Sequence, residues 1–207
     1  MKTDNLSEQE INARHAEKMA KKKAARDKIL ATKTKEKGLV MVHTGKGKGK
    51  TTAAMGLAIR AIGNGQKVGI VQFVKGVWST GEREVLARFP EQCTIKAMGE
   101  GFTWDTQDRE RDIAAARAAW DYAKGIINDP SYNLIILDEL NIVLRYGYIP
   151  LQEIVETLAT KPPQLHVLVT GRNAKQELID VADLVTEMGE IKHHFRGGVK
   201  AQVGIEF

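Results

Sequence analysis

Apolar runs alternate with helical stretches along the chain from residue 38 onward. The pattern predicts strands over residues 38–43, 67–74, 93–97, 133–137, 165–170 and 184–187. It predicts helices over residues 53–60, 81–89, 108–127, 150–159 and 175–181. Continuous apolar strands that alternate with helices are typical of a mostly parallel sheet covered on both faces. The sequence therefore predicts an α/β fold.

Residues 1–37 differ in charge from the rest of the chain. They hold 11 Lys/Arg against 6 Asp/Glu, whereas residues 38–207 hold 20 of each, so the net charge of +5 belongs to this arm. Residues 7–32 contain neither Gly nor Pro and favour a helix, but their few apolar positions are mostly alanine. We expect either a solvated, partly disordered arm or a segment that orders over a ligand or a neighbouring subunit. The domain from residue 38 to 207 is neutral, which argues against a nucleic-acid partner.

Membrane and secretion signals are missing from the sequence. No apolar run approaches the roughly 18 residues of a membrane span, and the polar N-terminus lacks a signal peptide. Cys93 is the single cysteine, which rules out an internal disulfide. We therefore expect a cytoplasmic protein that does not bind membranes.

The segment between the first strand and the first helix reads Thr-Gly-Lys-Gly-Lys-Gly-Lys-Thr-Thr over residues 44–52. A strand, a glycine-rich turn, Gly-Lys-Thr and a helix form the setting of a phosphate-binding loop, where backbone N–H groups and a helix N-terminus face phosphate oxygens. Lys50 is placed to reach a phosphate, and the Thr51 hydroxyl is placed to bind Mg²⁺. The segment therefore predicts a nucleoside triphosphate site.

The first position of this loop departs from the usual spacing G-x-x-x-x-G-K-[ST]. Thr44 stands where the first glycine is expected, and Gly45 follows one residue late. Either the first position is substituted or the turn has one residue fewer. A dinucleotide-binding loop is excluded because the chain contains no G-x-G-x-x-G.

Two acids, Asp138 and Glu139, follow the apolar run at residues 134–137. A phosphate-binding loop needs a carboxylate at the tip of a neighbouring strand, where it holds Mg²⁺ or orients a water molecule. The alternative is an acidic strand end that faces solvent. We favour a metal site for Mg²⁺, or Mn²⁺, built from Thr51, Glu139 and Asp138, and the sequence leaves open which acid touches the metal directly.

Two large aromatic side chains, Phe102 and Trp104, lie in a glycine-flanked segment. In an extended backbone they would share one side, because the side-chain period of a strand is two. They either pack into the local core or form an apolar platform for a flat ligand.

Taken together, these motifs resemble the P-loop-type ATP:corrinoid adenosyltransferases. The segments that carry the resemblance are, in order, TGKGKGKTTAA, VQFVKG, GER, GFTW, LDEL, VTGR and GVKAQVGIEF. The resemblance runs from about residue 8 to Phe207 and includes the short loop spacing. It implies a P-loop NTPase-like (RecA-like) sheet and an enzyme of adenosylcobalamin biosynthesis or salvage.

The resemblance also implies a chemistry. Reduced corrinoid cobalt, Co(I), attacks C5′ of ATP and expels triphosphate; the corrinoid is cobalamin, cobinamide or cobyrinic acid a,c-diamide. The implied catalytic residues are Lys50, Phe102, Trp104 and Glu139. The implied ATP-binding residues are Gly45, Lys46, Gly47, Lys48, Gly49, Lys50, Thr51 and Thr52. The family usually has asparagine at position 46, so Lys46 adds a cation near the phosphates.

The aromatic pair and Arg172 are implied to contact the corrinoid. Phe102 and Trp104 match aromatics that displace the lower axial ligand, which makes Co(II) easier to reduce. The resemblance further implies a homodimer and a reduced flavoprotein as electron donor. Two other function classes stay open: a P-loop ATPase or kinase that transfers a phosphoryl group, and a nucleotide-dependent nucleic-acid binder that uses the basic arm.

Overall fold

The computed structural model describes residues 7–74, 80–99 and 108–206. The chain divides into two compact units, with the boundary between Glu36 and Lys37. The first unit contains helix α1 (Glu8–Ala31), which has no buried residue. Ser7 and Glu10 form a reciprocal capping box at its start. The predicted helix in the basic arm is therefore confirmed.

The second unit follows the predicted alternation of strands and helices. Its strands are β1 (Val40–Thr44), β2 (Val68–Gln72), β3 (Cys93–Ala97), β4 (Leu134–Asp138), β5 (His166–Thr170) and β6 (Leu184–Glu187). Its helices are α2 (Lys50–Gly63), α3 (Gly81–Leu86), α4 (Arg109–Ile127), α5 (Leu140–Tyr146), α6 (Leu151–Ala159) and α7 (Gln176–Val181), and a 3₁₀ turn covers His194–Gly197. Helix α5 and the 3₁₀ turn are additions that the sequence pattern did not predict.

The six strands form one sheet in the order β3-β2-β4-β5-β1-β6, and every pairing in the described part of the chain is parallel. Strand β5 lies between β1 and β4, so the strand before the glycine-rich loop and the strand that ends in Asp138 are not neighbours. The carboxyl ends of parallel strands meet at one edge of a sheet, where ligands of open α/β sheets bind. This topology places residues 44–52 and the acid pair at the same edge.

The core occupies both faces of the sheet. Val40 and Val42 of β1 pack into one buried cluster, whereas Met41 between them packs into the other. The first cluster takes its helical residues from α4 to α7, and the second takes them from α2 and α3. The predicted α/β class with helices on both faces of a parallel sheet is confirmed.

Cys93, the first residue of β3, is a buried free thiol. Burial raises the pKa of the Cys93 thiol to about 11, which suppresses the reactive thiolate. No helix in the described ranges is both long and apolar enough to cross a membrane.

Candidate nucleotide-binding site

The glycine-rich loop connects β1 to α2 through two left-handed residues. Gly45 has φ +96° and Gly49, the N-cap of α2, has φ +104°, a region that favours glycine. A Cβ atom on Gly45 would lie 2.4 Å from the backbone oxygen of Met188. The loop is therefore shaped by backbone conformation and by close packing against the segment that follows β6.

Lys50 is held inside the loop by backbone oxygens. Its Nζ donates hydrogen bonds to the oxygens of Gly45, at 2.9 Å, and Gly47, at 2.5 Å. Burial lowers the pKa of Lys50 and the positive charge of Arg172 lowers it further, whereas Glu139 raises it. A polyanion between Lys50 and Arg172 would compensate both the burial and the repulsion.

Asp138 is the centre of a buried hydrogen-bond network at the sheet edge. Its Oδ1 accepts from the hydroxyls of Thr51, at 2.9 Å, and Thr170, at 2.7 Å. Its Oδ2 accepts from the amide of Gln72 at 3.1 Å. Asp138 is 0% exposed, so it orients Thr51 from behind the loop.

Glu139 occupies the junction between β4 and α5. It has φ +65°, an uncommon conformation for a non-glycine residue, and its backbone N–H donates to the Thr170 hydroxyl at 2.9 Å. Strained backbone of this kind clusters at functional sites. The conformation ends the strand abruptly, and Glu139 lines the cavity beside the loop.

Arg172 is positioned by an unusual turn after β5. Gly171 has φ +128° and Asn173 has φ +56°, on either side of Arg172. The buried Asn141 side chain donates to the oxygen of Gly171 at 3.0 Å, and the Ala174 N–H donates to the Thr44 hydroxyl at 3.0 Å. The turn is thus fixed at both ends.

A cavity of about 470 Å³ unites most of the predicted site. The predicted residues that line it are Gly47, Lys48, Gly49, Lys50, Thr51, Thr52, Glu139 and Arg172. Gly45 and Lys46 instead line a second cavity, of about 610 Å³. Phe102 and Trp104 lie outside the described residues.

The sequence patterns predicted no role for several residues of the site. They are Gln72 and Thr170 in the network around Asp138, and Ile142, Arg145, Tyr146, Ile205 and Glu206 in the cavity wall. Gln72 and Thr170 are the last residues of buried strands β2 and β5. A polar residue at the carboxyl end of an apolar strand was the signal that could have found them.

Comparisons with known proteins identify the family of this chain. A model of the family "ATP:corrinoid adenosyltransferase BtuR/CobO/CobP" matches residues 36–207, and a model of "Cob(I)alamin adenosyltransferase N terminal" matches residues 3–30. The corrinoid adenosyltransferases of Sinorhizobium sp and Pseudomonas aeruginosa are 57% and 50% identical over 95% and 96% of this chain, and over 92% and 98% of their own.

The chain is also similar to a more distant relative and to one solved structure. Corrinoid adenosyltransferase CobA of Salmonella typhimurium is 43% identical over 94% of this chain and 98% of its own. Domain III of the Thermotoga maritima replication initiation protein DnaA aligns at 10% identity with a TM-score of 0.35, over 72% of this chain and 53% of that one, a likeness too low to support an argument. The family matches and the close relatives show that this chain belongs to the ATP:corrinoid adenosyltransferase family BtuR/CobO/CobP.

Proposed function

We propose that this chain transfers the 5′-deoxyadenosyl group of ATP to the Co(I) centre of a corrinoid and releases triphosphate. The observation that carries the proposal is one cavity that holds Lys50, Thr51, Glu139 and Arg172 at the N-terminus of α2. In a displacement at C5′, the whole triphosphate is the leaving group. Fixed cations and backbone N–H groups stabilise the charge that builds up on it.

We infer that Mg²⁺ binds in the same cavity. Asp138 is fully buried and both its oxygens accept hydrogen bonds, whereas Glu139 lines the cavity. We therefore assign Thr51 and Glu139 as the metal's protein ligands and Asp138 as the residue that orients Thr51. The described residues contain no cluster of three or more His, Cys, Asp or Glu side chains that could hold a metal. Mg²⁺ commonly takes few protein ligands and completes its coordination with phosphates and water. When bound, it would act as a Lewis acid on the triphosphate.

Arg172 is better suited to the triphosphate than to the corrinoid. It lines the cavity with Lys50 and is close enough to lower the pKa of that lysine. Phe102 and Trp104 remain the proposed corrinoid contacts, with the role of displacing the lower axial ligand. A homodimer, a reduced flavoprotein donor and a cytoplasmic location are further proposals that rest on the family.

Product identity tests the proposed function. The protein is mixed with MgATP and a chemically reduced Co(I) corrinoid, and the products are separated in the dark. Adenosyl transfer gives a light-sensitive cobalt–carbon product and one triphosphate for each ATP consumed. ADP with no organocobalt product would instead identify a phosphoryl-transferring ATPase or kinase.

A further inference from the structure

The chain after β6 returns to the phosphate-binding loop. The Gly47 N–H donates to the oxygen of Met188 at 2.7 Å. A Cβ atom on Gly47 would lie 2.5 Å from the oxygen of Gly189, so the two backbones are in close contact. Further along, Ile205 and Glu206 line the cavity that contains Lys50.

Glu206 forms an ion pair with Lys48, a residue of the loop itself. Its other carboxylate oxygen accepts from His194 Nε2 at 2.7 Å. The hydrogen bond from Lys48 lowers the pKa of Glu206, burial opposes that shift, and the charges of Lys48 and His194 lower the pKa further. Glu206 is therefore a carboxylate at neutral pH.

The backbone around Glu206 holds this carboxylate in place. The N–H groups of Ile205 and Glu206 donate to the oxygen of Gln202, at 3.2 and 3.0 Å, and Gly204 has φ +78°. The result is a tight turn that directs an anionic group at a cation of the phosphate-binding loop. A carboxylate and a phosphate offer a lysine the same kind of oxygen acceptor.

We propose that Glu206 is the exchangeable counter-ion of Lys48: the triphosphate of ATP displaces it on binding, and its return to Lys48 assists release of the cleaved triphosphate. The inference rests on the proposed function, because it needs a triphosphate that first binds and then leaves. The cleaved triphosphate keeps the loop contacts of the substrate, so a competing carboxylate speeds its departure. Glu206 is thus a residue of substrate binding and product release.

The expected size of the competition is modest. The Lys48 side chain is 49% exposed, so its pair with Glu206 is weak and a triphosphate with several charges can replace it. Removing the charge of Glu206 should tighten triphosphate binding by about 2–5-fold, the range of an exposed ion pair.

A matched pair of variants tests the proposal. Glu206→Gln removes the competing charge, and Glu156→Gln makes the same change at an exposed side chain of α6, whose Oε1 accepts from the Gln152 amide at 2.8 Å. Calorimetric titration with inorganic triphosphate should show tighter binding for Glu206→Gln and no change for Glu156→Gln. In a Lys48→Gln background, the further change Glu206→Gln should have no effect. An unchanged or weaker affinity in folded Glu206→Gln protein would overturn the proposal.

Hydrogen exchange of the unaltered protein gives a second, independent readout. Saturating triphosphate should speed exchange in residues 199–206, because the turn around Glu206 loses its contact with Lys48. Slower exchange there would also overturn the proposal. A protein that binds triphosphate but forms no adenosylated corrinoid refutes the proposed function alone. Normal adenosyl transfer, with equal triphosphate affinity in Glu206→Gln and unaltered protein, refutes the counter-ion alone.

Discussion

The Thr51 hydroxyl donates to Asp138 at 2.9 Å, which joins the first turn of α2 to the end of β4 across 87 positions of sequence. The strand before α2, β1, and the strand that ends in Asp138, β4, lie on either side of β5, whose last residue, Thr170, donates to the same carboxylate oxygen. One buried carboxylate therefore fixes the start of α2, the end of β5 and the end of β4 relative to one another.

The hydroxyl of Thr51 is the first test of this arrangement. Thr51→Val keeps the shape of the side chain but removes the oxygen that we assign to Mg²⁺ and to Asp138. Adenosyl transfer should fall on the order of 10²–10³-fold, the loss typical of removing one preorganised polar contact to the transition state. Thr51→Ser keeps the oxygen and should retain most activity. Equal activity of the valine and serine variants, measured by steady-state kinetics, would contradict the metal assignment.

The two acids should respond differently to loss of charge. Glu139→Gln should shift the Mg²⁺ titration of activity to higher concentration and leave the unfolding temperature nearly unchanged, since Glu139 lines the cavity. Asp138→Asn should lower the unfolding temperature as well, because the network of Thr51, Thr170 and Gln72 loses its charged acceptor. An unchanged Mg²⁺ titration of Glu139→Gln protein would show that the metal takes another ligand.

Sequence patterns predicted the strands and the phosphate-binding loop better than they predicted the other residues that line the cavity. The strands before Thr44 and Asp138 are continuous apolar runs, and the loop between Thr44 and Lys50 has a distinctive composition, so both were predictable. The role of Glu206 was not predictable, because an acidic residue far from the loop in sequence belongs to no periodic pattern. Its contact with Lys48 depends on how residues 188–206 fold back after β6, which only tertiary structure determines.

Helix α5 illustrates the same limit within one element. Leu140–Tyr146 is only seven residues long and starts directly from Glu139 at φ +65°. Short apolar segments next to a buried strand do not separate helix from strand by periodicity. The turn that begins α5 is fixed by the Thr170 hydroxyl, a partner 31 positions away.

The turn at Gly171 provides a test of Arg172. Gly171→Ala places a Cβ atom 2.8 Å from the Asn141 Cβ at φ +128°, so the turn must distort. The variant should lose about 1–3 kcal/mol of unfolding free energy, the cost of a strained backbone position, and should bind triphosphate more weakly.

Gly125→Ala on α4 is the control, because the added Cβ atom meets no atom within 4 Å. It should gain about 0.5–1 kcal/mol, as expected for alanine in a helix, with triphosphate affinity unchanged. If Gly171→Ala protein bound triphosphate with normal affinity, the turn at Gly171 would have no role in phosphate binding.

Stability in acid should depend on Asp183. Hydrogen bonding from Lys37 lowers the pKa of Asp183, burial opposes the shift, and the Val40 N–H lowers the pKa further. A carboxylate with a depressed folded pKa adds stability above its ordinary value of 3.8. That stability is lost as the pH falls through the lower folded value. Asp183→Asn should therefore reduce the unfolding free energy at neutral pH by about 1 kcal/mol or less.

Urea unfolding should give the same free energy of unfolding for Asp183→Asn and the unaltered protein once the pH falls below the folded pKa of Asp183. Asp180→Asn, on the exposed face of α7, serves as the control. It should leave the unfolding free energy unchanged both at neutral pH and in acid. A stability difference between Asp183→Asn and unaltered protein that persists undiminished in acid would contradict the ion-pair explanation and point to packing.

Phe102 and Trp104 yield the sharpest kinetic test, because their proposed role depends on the oxidation state of cobalt. An aromatic that displaces the lower axial ligand makes Co(II) easier to reduce, whereas Co(I) already prefers four-coordination. Trp104→Ala should therefore nearly abolish turnover that starts from Co(II) and a mild reductant. Much of the activity should survive when the reaction starts from pre-reduced Co(I).

A buried tryptophan of the same chain supplies the control for packing. Trp120 is 0% exposed and its Nε1 donates to Glu153 at 2.9 Å, so Trp120→Phe perturbs the core without a proposed role at cobalt. It should lower the unfolding temperature and reduce turnover from both cobalt states alike. Spectroscopy of the Co(II) complex with MgATP should show a four-coordinate species in the unaltered and Trp120→Phe proteins, and far less in Trp104→Ala. If Trp104→Ala lost equal activity from both cobalt states, core packing would be the better explanation of the aromatic pair.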